Sequence, residues 1–313
     1  MAARRLLPPS AVRPATLGAA AGAGPDYGVS DRPDWRTVPW RTRLRAVTVD
    51  GRRVHLVELG GGAGSPLVLI HGLGGRWQSW LETIPRLARG RRVVALDLPG
   101  FGRSQPPREP ISIAGYARRV ERVCDLLDLG RVALAGNSMG GLVAAELALR
   151  FPERVERLAL VAPAAIPAAE YNPLPAMALV AALARTPLGS ADGMRALIGR
   201  RRARHLAFAT LVRHPSLIDR AMLCELVAGR GAAGLADAAR AMIAHDIHDE
   251  VRRIAVSALI VHGRHDMLVP VRHSGWLARQ LRGELAVFDD TGHLPMVERP
   301  VPFNDALLRF LDA

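Results

Sequence analysis

Lysine is absent from this sequence: all 42 residues of the Lys+Arg class are arginine, and against 29 acidic residues they give a formal net charge of +13. A basic surplus of this size attracts phosphates and invites a nucleic-acid reading. The distribution argues against it, because pairs such as Arg52-Arg53, Arg91-Arg92 and Arg118-Arg119 are scattered along the chain without interleaved aromatics. Such scatter is compositional bias, and no nucleic-acid partner is expected. Only Arg200, Arg201, Arg202 and Arg204 cluster locally, as a solvated helix face would. Cysteine is nearly absent too. Cys124 and Cys224 lie in separate helix-like segments without flanking cysteines or histidines, which excludes a disulfide framework and a cysteine metal site. Both read as buried thiols in a reducing compartment. No long apolar run occurs: the longest, Ala176 to Ala184, is far short of the roughly 20 residues a membrane span needs. Arg4 and Arg5 imitate the basic start of a signal peptide, but Pro8, Pro9 and Arg13 interrupt the apolar segment that such a peptide needs next. A non-secreted, cytoplasmic chain without stable membrane insertion is therefore expected.

With 313 residues the chain can bury a full core as one large domain carrying an insertion. Residues 1–30 are rich in Ala, Pro and Gly without apolar periodicity, and are expected to form a flexible arm. From there the pattern alternates. Strand-like runs at 46–49, 53–58, 67–70, 93–96, 132–135 and 157–162 are interleaved with helical stretches at 77–89 and 112–128 and after residue 138. Continuous apolar strands such as Leu67-Val68-Leu69-Ile70 are those of a sheet covered on both faces. The rhythm breaks at Pro163 and resumes with strands at 259–261 and 285–288, and with helices at 270–282 and 302–312. The resulting expectation is an α/β fold with a parallel sheet, whose core comprises 31–163 and 251–313, and a helical insertion over 164–250.

One pentapeptide carries the chemistry. Gly136-Asn137-Ser138-Met139-Gly140 lies between an apolar strand and a helix, the setting of a serine nucleophile elbow. A serine hydroxyl attacks a carbonyl only if a base takes its proton and a third group orients that base. His293, in the loop beyond the last strand, is the candidate base, and Asp266, after the preceding strand, is the candidate acid, with Asp289 and Asp290 in reserve. Oxyanion stabilisation needs backbone N–H groups. One is expected from Met139, and one from the turn His71-Gly72-Leu73-Gly74-Gly75, with Leu73 the first choice and Gly74 the second. Gly72, Gly74, Trp77, Asn137 and Leu294 are the candidates for substrate contact. His245-Asp246-Ile247-His248-Asp249 holds metal-capable side chains but reads as a capping and solvating segment, and His262 with His265 lacks a second histidine cluster. No metal site and no cofactor are expected. The apolar stretch from Met177 to Leu183 is expected to line a pocket beneath the insertion.

Taken in order, His71-Gly72-Leu73-Gly74-Gly75, Asp97-Leu98-Pro99-Gly100-Phe101-Gly102-Arg103-Ser104, the elbow at Ser138, Asp266 and Gly292-His293 make the chain resemble the α/β-hydrolase superfamily from about residue 40 to 312. The resemblance implies an eight-stranded, mostly parallel sheet, with 164–250 as a cap over the active site and Asp97 to Ser104 as a fold-defining turn. It implies a serine hydrolase acting on an ester, lactone or thioester of an apolar small molecule. The elbow is similar to that of hydrolases cleaving carbon–carbon bonds in ring-cleavage products of aromatics. Those commonly carry Trp after the catalytic His, where this chain has Leu294-Pro295, as general esterases do. Carbon–carbon hydrolysis is thus the alternative, beside a perhydrolase or acyltransferase and a non-catalytic ligand receptor. The sequence is compatible with a homo-oligomer and leaves the assembly open.

Overall fold

A computed structural model of the protein describes residues 14–164, 191–229 and 232–313. Eight strands form one sheet: β1 Leu44–Val49, β2 Arg52–Gly60, β3 Gly64–Ile70, β4 Arg91–Leu96, β5 Val132–Asn137, β6 Val155–Val161, β7 Ser257–Gly263 and β8 Glu284–Phe288. Their order across the sheet is β1-β2-β4-β3-β5-β6-β7-β8. β1 and β2 form a hairpin whose turn needs positive φ at both central residues, supplied by Asp50 (φ 51°) and Gly51 (φ 67°). β2 is also antiparallel to β4, and every later pairing is parallel. The eight-stranded, mostly parallel sheet expected from the sequence is therefore present.

The apolar runs are continuous because both faces are covered. Val68, Ile70, Leu134, Leu158 and Ile260 pack on one side with Tyr116, Val120, Leu142 and Leu277. Their strand neighbours Leu67, Leu69, Ala133, Ala159 and Leu259 pack on the other with Trp80, Ile84, Phe303 and Leu307. The period-2 geometry of a strand sends successive side chains to opposite faces, so a fully apolar strand is the signature of burial between two helical layers. The first layer consists of α2 Ile113–Leu126, α3 Met139–Arg150 and a helix at Val271–Leu281. α2 starts where the sequence suggests, with Ser112 as N-cap accepting from Gly115 N–H. The expected helix over 77–89 is instead a 3₁₀ turn, Trp77–Trp80, followed by the single turn α1 Ile84–Leu87, with Pro85 tolerated in its first turn.

β4 lies on one side of β3 and β5 on the other, so the chain reverses its direction of travel across the sheet between them. Adjacent loops at such a point diverge and leave a crevice beyond the carboxyl ends of the strands. Ile70 and Gly136 are paired at this point.

Beyond β6 the described residues contain helices but no strand until β7: Ala191–Ile198, Arg201–Phe208, Arg220–Val227 and Leu235–Ala244. The Met177–Leu183 stretch lies outside the described residues. The insertion sits on the loops of the crevice. Gly234 N–H donates to Gly100 O (3.0 Å), and a Cβ on Gly229 would lie 2.8 Å from Gly74 O. Arg76 donates to the side chain (2.6 Å) and carbonyl of Glu225. Among the described residues no helix is long and apolar enough to cross a membrane.

Within the segment expected as a flexible arm, residues 14–30 drape over the domain: Leu17–Gly22 is a 3₁₀ helix, Tyr27 is buried, and Gly28 N–H donates to Glu298 O (2.7 Å). Ser30 and Trp35 both donate to Glu82 (2.9 Å each). Its anchors are single side chains bonded to distant partners, which leave no periodic trace.

Candidate active site

Ser138 terminates β5 with φ 54° and ψ −117°, outside the regions a side-chain-bearing residue ordinarily occupies. Such a backbone costs about 1–3 kcal/mol and persists only where its surroundings over-determine it. Here Ser138 N–H donates to Val161 O (2.9 Å), and Ser138 O accepts from Gly141 (2.9 Å), Ala164 (3.1 Å) and Leu142 (3.2 Å). The flanking glycines are obligatory. A Cβ at Gly136 would stand 2.2 Å from Gly140 O, and one at Gly140 would stand 2.3 Å from Ile70 O. Met139, wholly buried, opens α3, where the first N–H groups have no partner within the helix and the dipole favours negative charge.

On one side of Ser138 stands the turn after β3. Gly72 lies so close that a Cβ there would sit 3.2 Å from Ser138 Cβ. Gly72 O accepts from His71 Nδ1 (2.7 Å) and from Gly75 N–H (3.0 Å), which fixes the Gly72–Leu73 peptide plane and so the direction of Leu73 N–H. His71 Nε2 accepts from Leu98 N–H (3.0 Å), and burial lowers this imidazole's pKa, keeping it in the neutral form that this pattern requires. Asp97 closes the same corner by accepting from Trp77 N–H and Arg103 N–H (2.9 Å each).

On the other side, the loop after β8 brings His293 over the sheet edge. Asn137 Nδ2 donates to Val161 O (3.1 Å) and His293 O (3.4 Å), which joins the residue preceding Ser138 to the His293 main chain. His293 Nδ1 lies 2.7 Å from Asp266 Oδ2. Asp266 Oδ1 accepts from Leu268 N–H (2.7 Å) and Val269 N–H (2.9 Å). Burial alone would raise the Asp266 pKa, but the His293 charge and the hydrogen bonds from His262 and His293 outweigh it and hold the carboxyl well below the usual range.

The reserve acids are engaged elsewhere. Asp289 pairs with Arg264, and Asp290 accepts from His214 Nε2 (2.7 Å) and Arg213 Nε (3.3 Å). Of the substrate-contact candidates, Asn137 bonds through its amide to two carbonyls, and Trp77 is buried with its ring centroid 5.2 Å from that of Trp40. Leu294 is buried too, with its N–H on Glu298 Oε1 (3.1 Å). Gly74, at φ 73°, faces Leu235 of the insertion. His245 Nε2 bonds to Glu146 Oε2 (3.0 Å) and His248 stacks on Trp276 (4.4 Å), so this segment ties the insertion to the core. Among the described residues no group of three or more His, Cys, Asp or Glu could hold a metal ion.

Sequence reasoning missed Glu298. Its buried carboxyl accepts from Gly292 N–H (2.9 Å) and Leu294 N–H on either side of His293, from Arg213 N–H (2.7 Å) and from Tyr27 OH (2.6 Å). Burial pushes its pKa up, while these four donors pull the other way. Its spacing from His293, with a proline two residues further on, was the available signal, but only the fold shows what it grips.

Residues 65–300 match the family model described as the alpha/beta hydrolase fold. The chain belongs to the alpha/beta hydrolase family. Among its relatives, the 2-hydroxymuconate semialdehyde hydrolase of Pseudomonas sp. strain CF600 is 32% identical over 293 residues, spanning 85% of this chain and 93% of that protein. The dihydrolipoyllysine-residue acetyltransferase component of the acetoin cleaving system of Pseudomonas putida is also 32% identical, over 84% of this chain and 68% of its own length. Among solved structures, the enol-lactonase from Burkholderia xenovorans LB400 superposes with a TM-score of 0.70 at 27% identity, covering 86% of this chain and all of that one. Membership in this hydrolase family supports an enzymatic role for the chain.

Proposed function

We propose that the protein is a serine hydrolase that cleaves an ester, lactone or thioester of an apolar small molecule. The observation that carries this reading is the His293–Asp266 pair, bonded at 2.7 Å and joined through Asn137 to the strained elbow that displays Ser138. His293 Nε2 takes the Ser138 proton as Oγ attacks the carbonyl carbon. The N–H groups of Met139 and Leu73 stabilise the tetrahedral oxyanion, and Asp266 holds the imidazole and balances the charge it acquires. His293 then returns the proton to the leaving alcohol or thiol. Water, deprotonated by the same imidazole, releases the acid and restores Ser138. Every atom of this cycle comes from the chain, substrate and water.

A second reading, hydrolysis of a carbon–carbon bond in a dienone acid, is favoured by the likeness to the 2-hydroxymuconate semialdehyde hydrolase over nearly all of that protein's length. Both readings use the same serine and differ in substrate. The test is turnover of a panel of p-nitrophenyl esters, lactones and dienone acids by the wild type and by Ser138→Ala, with a fluorophosphonate as covalent label. Turnover of esters or lactones, with label on Ser138 and a loss on the order of 10⁶-fold in the variant, is the expected result. Full activity in Ser138→Ala would refute both readings, and turnover of dienone acids alone would select the second.

A further inference from the structure

A second histidine reaches the acid of the proposed triad from the side opposite His293. His262, at the end of β7, is wholly buried, and its Nε2 lies 3.0 Å from Asp266 Oδ2 and 2.9 Å from Val269 O. Both of those atoms are acceptors, so Nε2 must carry the hydrogen. Its other nitrogen, Nδ1, lies 2.5 Å from Ser274 Oγ, and with the proton on Nε2 the serine hydroxyl is the donor there. The tautomer is thus set by neighbours on both sides of the ring. Asp266 Oδ2 faces two imidazoles at once, His293 Nδ1 at 2.7 Å and His262 Nε2 at 3.0 Å, the latter sharing its N–H with Val269 O (2.9 Å), while Oδ1 is held by two main-chain N–H groups.

Resting on the serine-hydrolase reading, we propose that His262 is a positioning residue that tunes the base: the chain Ser274–His262–Asp266 draws part of the carboxylate's charge away from His293. Two donors compete for one oxygen. A carboxylate that donates electron density to two hydrogen bonds is a weaker acceptor for each, so its hold on the His293 imidazolium is moderated. Ser274 strengthens the competing bond, because an O–H donated into Nδ1 polarises the ring and makes Nε2–H a better donor. The two main-chain donors keep Asp266 in place whether or not His262 is present, so the effect of losing His262 is on charge and not on location. The other charged or titratable groups packed around this corner include His273 and Arg272, on the helix Val271–Leu281, with both His262 and Arg272 acting electrostatically on His273, and, on the His293 loop, Glu298 beneath the Gly292 and Leu294 N–H groups, Arg299 on Thr291, and Asp290 with Arg213 and His214.

The test is the pH dependence of kcat/KM for an ester substrate in wild type, His262→Leu, His262→Gln and Ser274→Ala. Removing the competing donor strengthens Asp266 as partner of protonated His293. The acid limb should therefore move to higher pH by roughly 0.5–1 unit in His262→Leu and by less in Ser274→Ala. His262→Gln, whose amide N–H reaches the Nε2 position, should return the limb toward wild type. A loss of packing alone lowers activity without moving the limb. An unmoved or downward-moving limb in soluble His262→Leu, or in Ser274→Ala if His262→Leu does not fold, overturns the inference. Asp266→Asn, run alongside, separates the two layers: its collapse with an unmoved limb in the other variants defeats only the tuning role, whereas full activity in Asp266→Asn defeats the triad itself.

Discussion

Glu298→Ala is the perturbation that bears most directly on how the His293 loop is held. Four donors converge on this buried carboxyl, and two of them, Gly292 N–H and Leu294 N–H, flank His293 in the chain. Truncation leaves all four without their acceptor, at about 1–3 kcal/mol for each buried group that stays unsatisfied. Against that, the carboxyl's own desolvation, of several kcal/mol, is recovered, and water can enter the space left. The balance is a loss of about 3–5 kcal/mol, in line with breaking one side of a buried charged network. Glu298→Gln keeps one carbonyl oxygen. Placed at the Oε2 position it retains Tyr27, Arg213 and Gly292 and sets an NH₂ against Leu294 N–H, for a smaller loss of about 1–3 kcal/mol. Because the loosened peptides bracket His293, kcat should fall more than KM rises, by about 10²-fold in the alanine variant. Thermal melts and steady-state kinetics on the same preparations give both numbers. Glu298→Ala with a melting temperature and kcat equal to wild type would show that the loop is held by something else.

At the elbow, Gly136→Ala forces a Cβ to within 2.2 Å of Gly140 O and 2.5 Å of Gly140 C, so β5 and α3 must separate. The expected loss is about 1–3 kcal/mol of stability, with a larger loss of turnover, read by urea unfolding and ester hydrolysis; a fully active variant would contradict the close packing at the elbow. The His273 imidazole, its pKa shifted down to about 4 by burial and then by Arg272 and His262, is neutral in the fold and takes up a proton on unfolding below the ordinary histidine range. The folded state then binds fewer protons, so stability is lost as pH falls from about 6.5 toward 4, by about 2–3 kcal/mol from this group. His273→Gln should flatten that part of a melting-temperature profile, and an unchanged slope would remove His273 as its source.

Much of this molecule was legible before its fold was known. The continuous apolar runs at 67–70 and 132–135 marked strands buried on both faces, and the glycines around Ser138 marked the elbow, because in each case a local pattern and a local geometry are the same fact. Ser138, Asp266 and His293 were each placed after a strand by sequence order, since a parallel sheet sends every strand's carboxyl end to one edge. Of the three aspartates weighed, Asp266 lies against His293, whereas Asp289 and Asp290 are bonded to Arg264, Arg213 and His214.

How residues 14–30 are anchored was not legible, because the contact of Tyr27 with Glu298 spans 271 residues and produces no periodicity. For Asn137 and Trp77, sequence names a side chain's chemistry without saying what it packs against or bonds to. Here carbonyls of Val161 and His293 occupy the amide, and Trp40 covers the indole. The partners of His262 and Glu298 were hidden for the same reason. Local order along the chain determined the strands, the sharp turn and the sequence of reactive groups; only the tertiary structure decided which buried donors and acceptors meet. Hydrogen bonds act over about 3 Å, and residues far apart in the chain come that close only after folding.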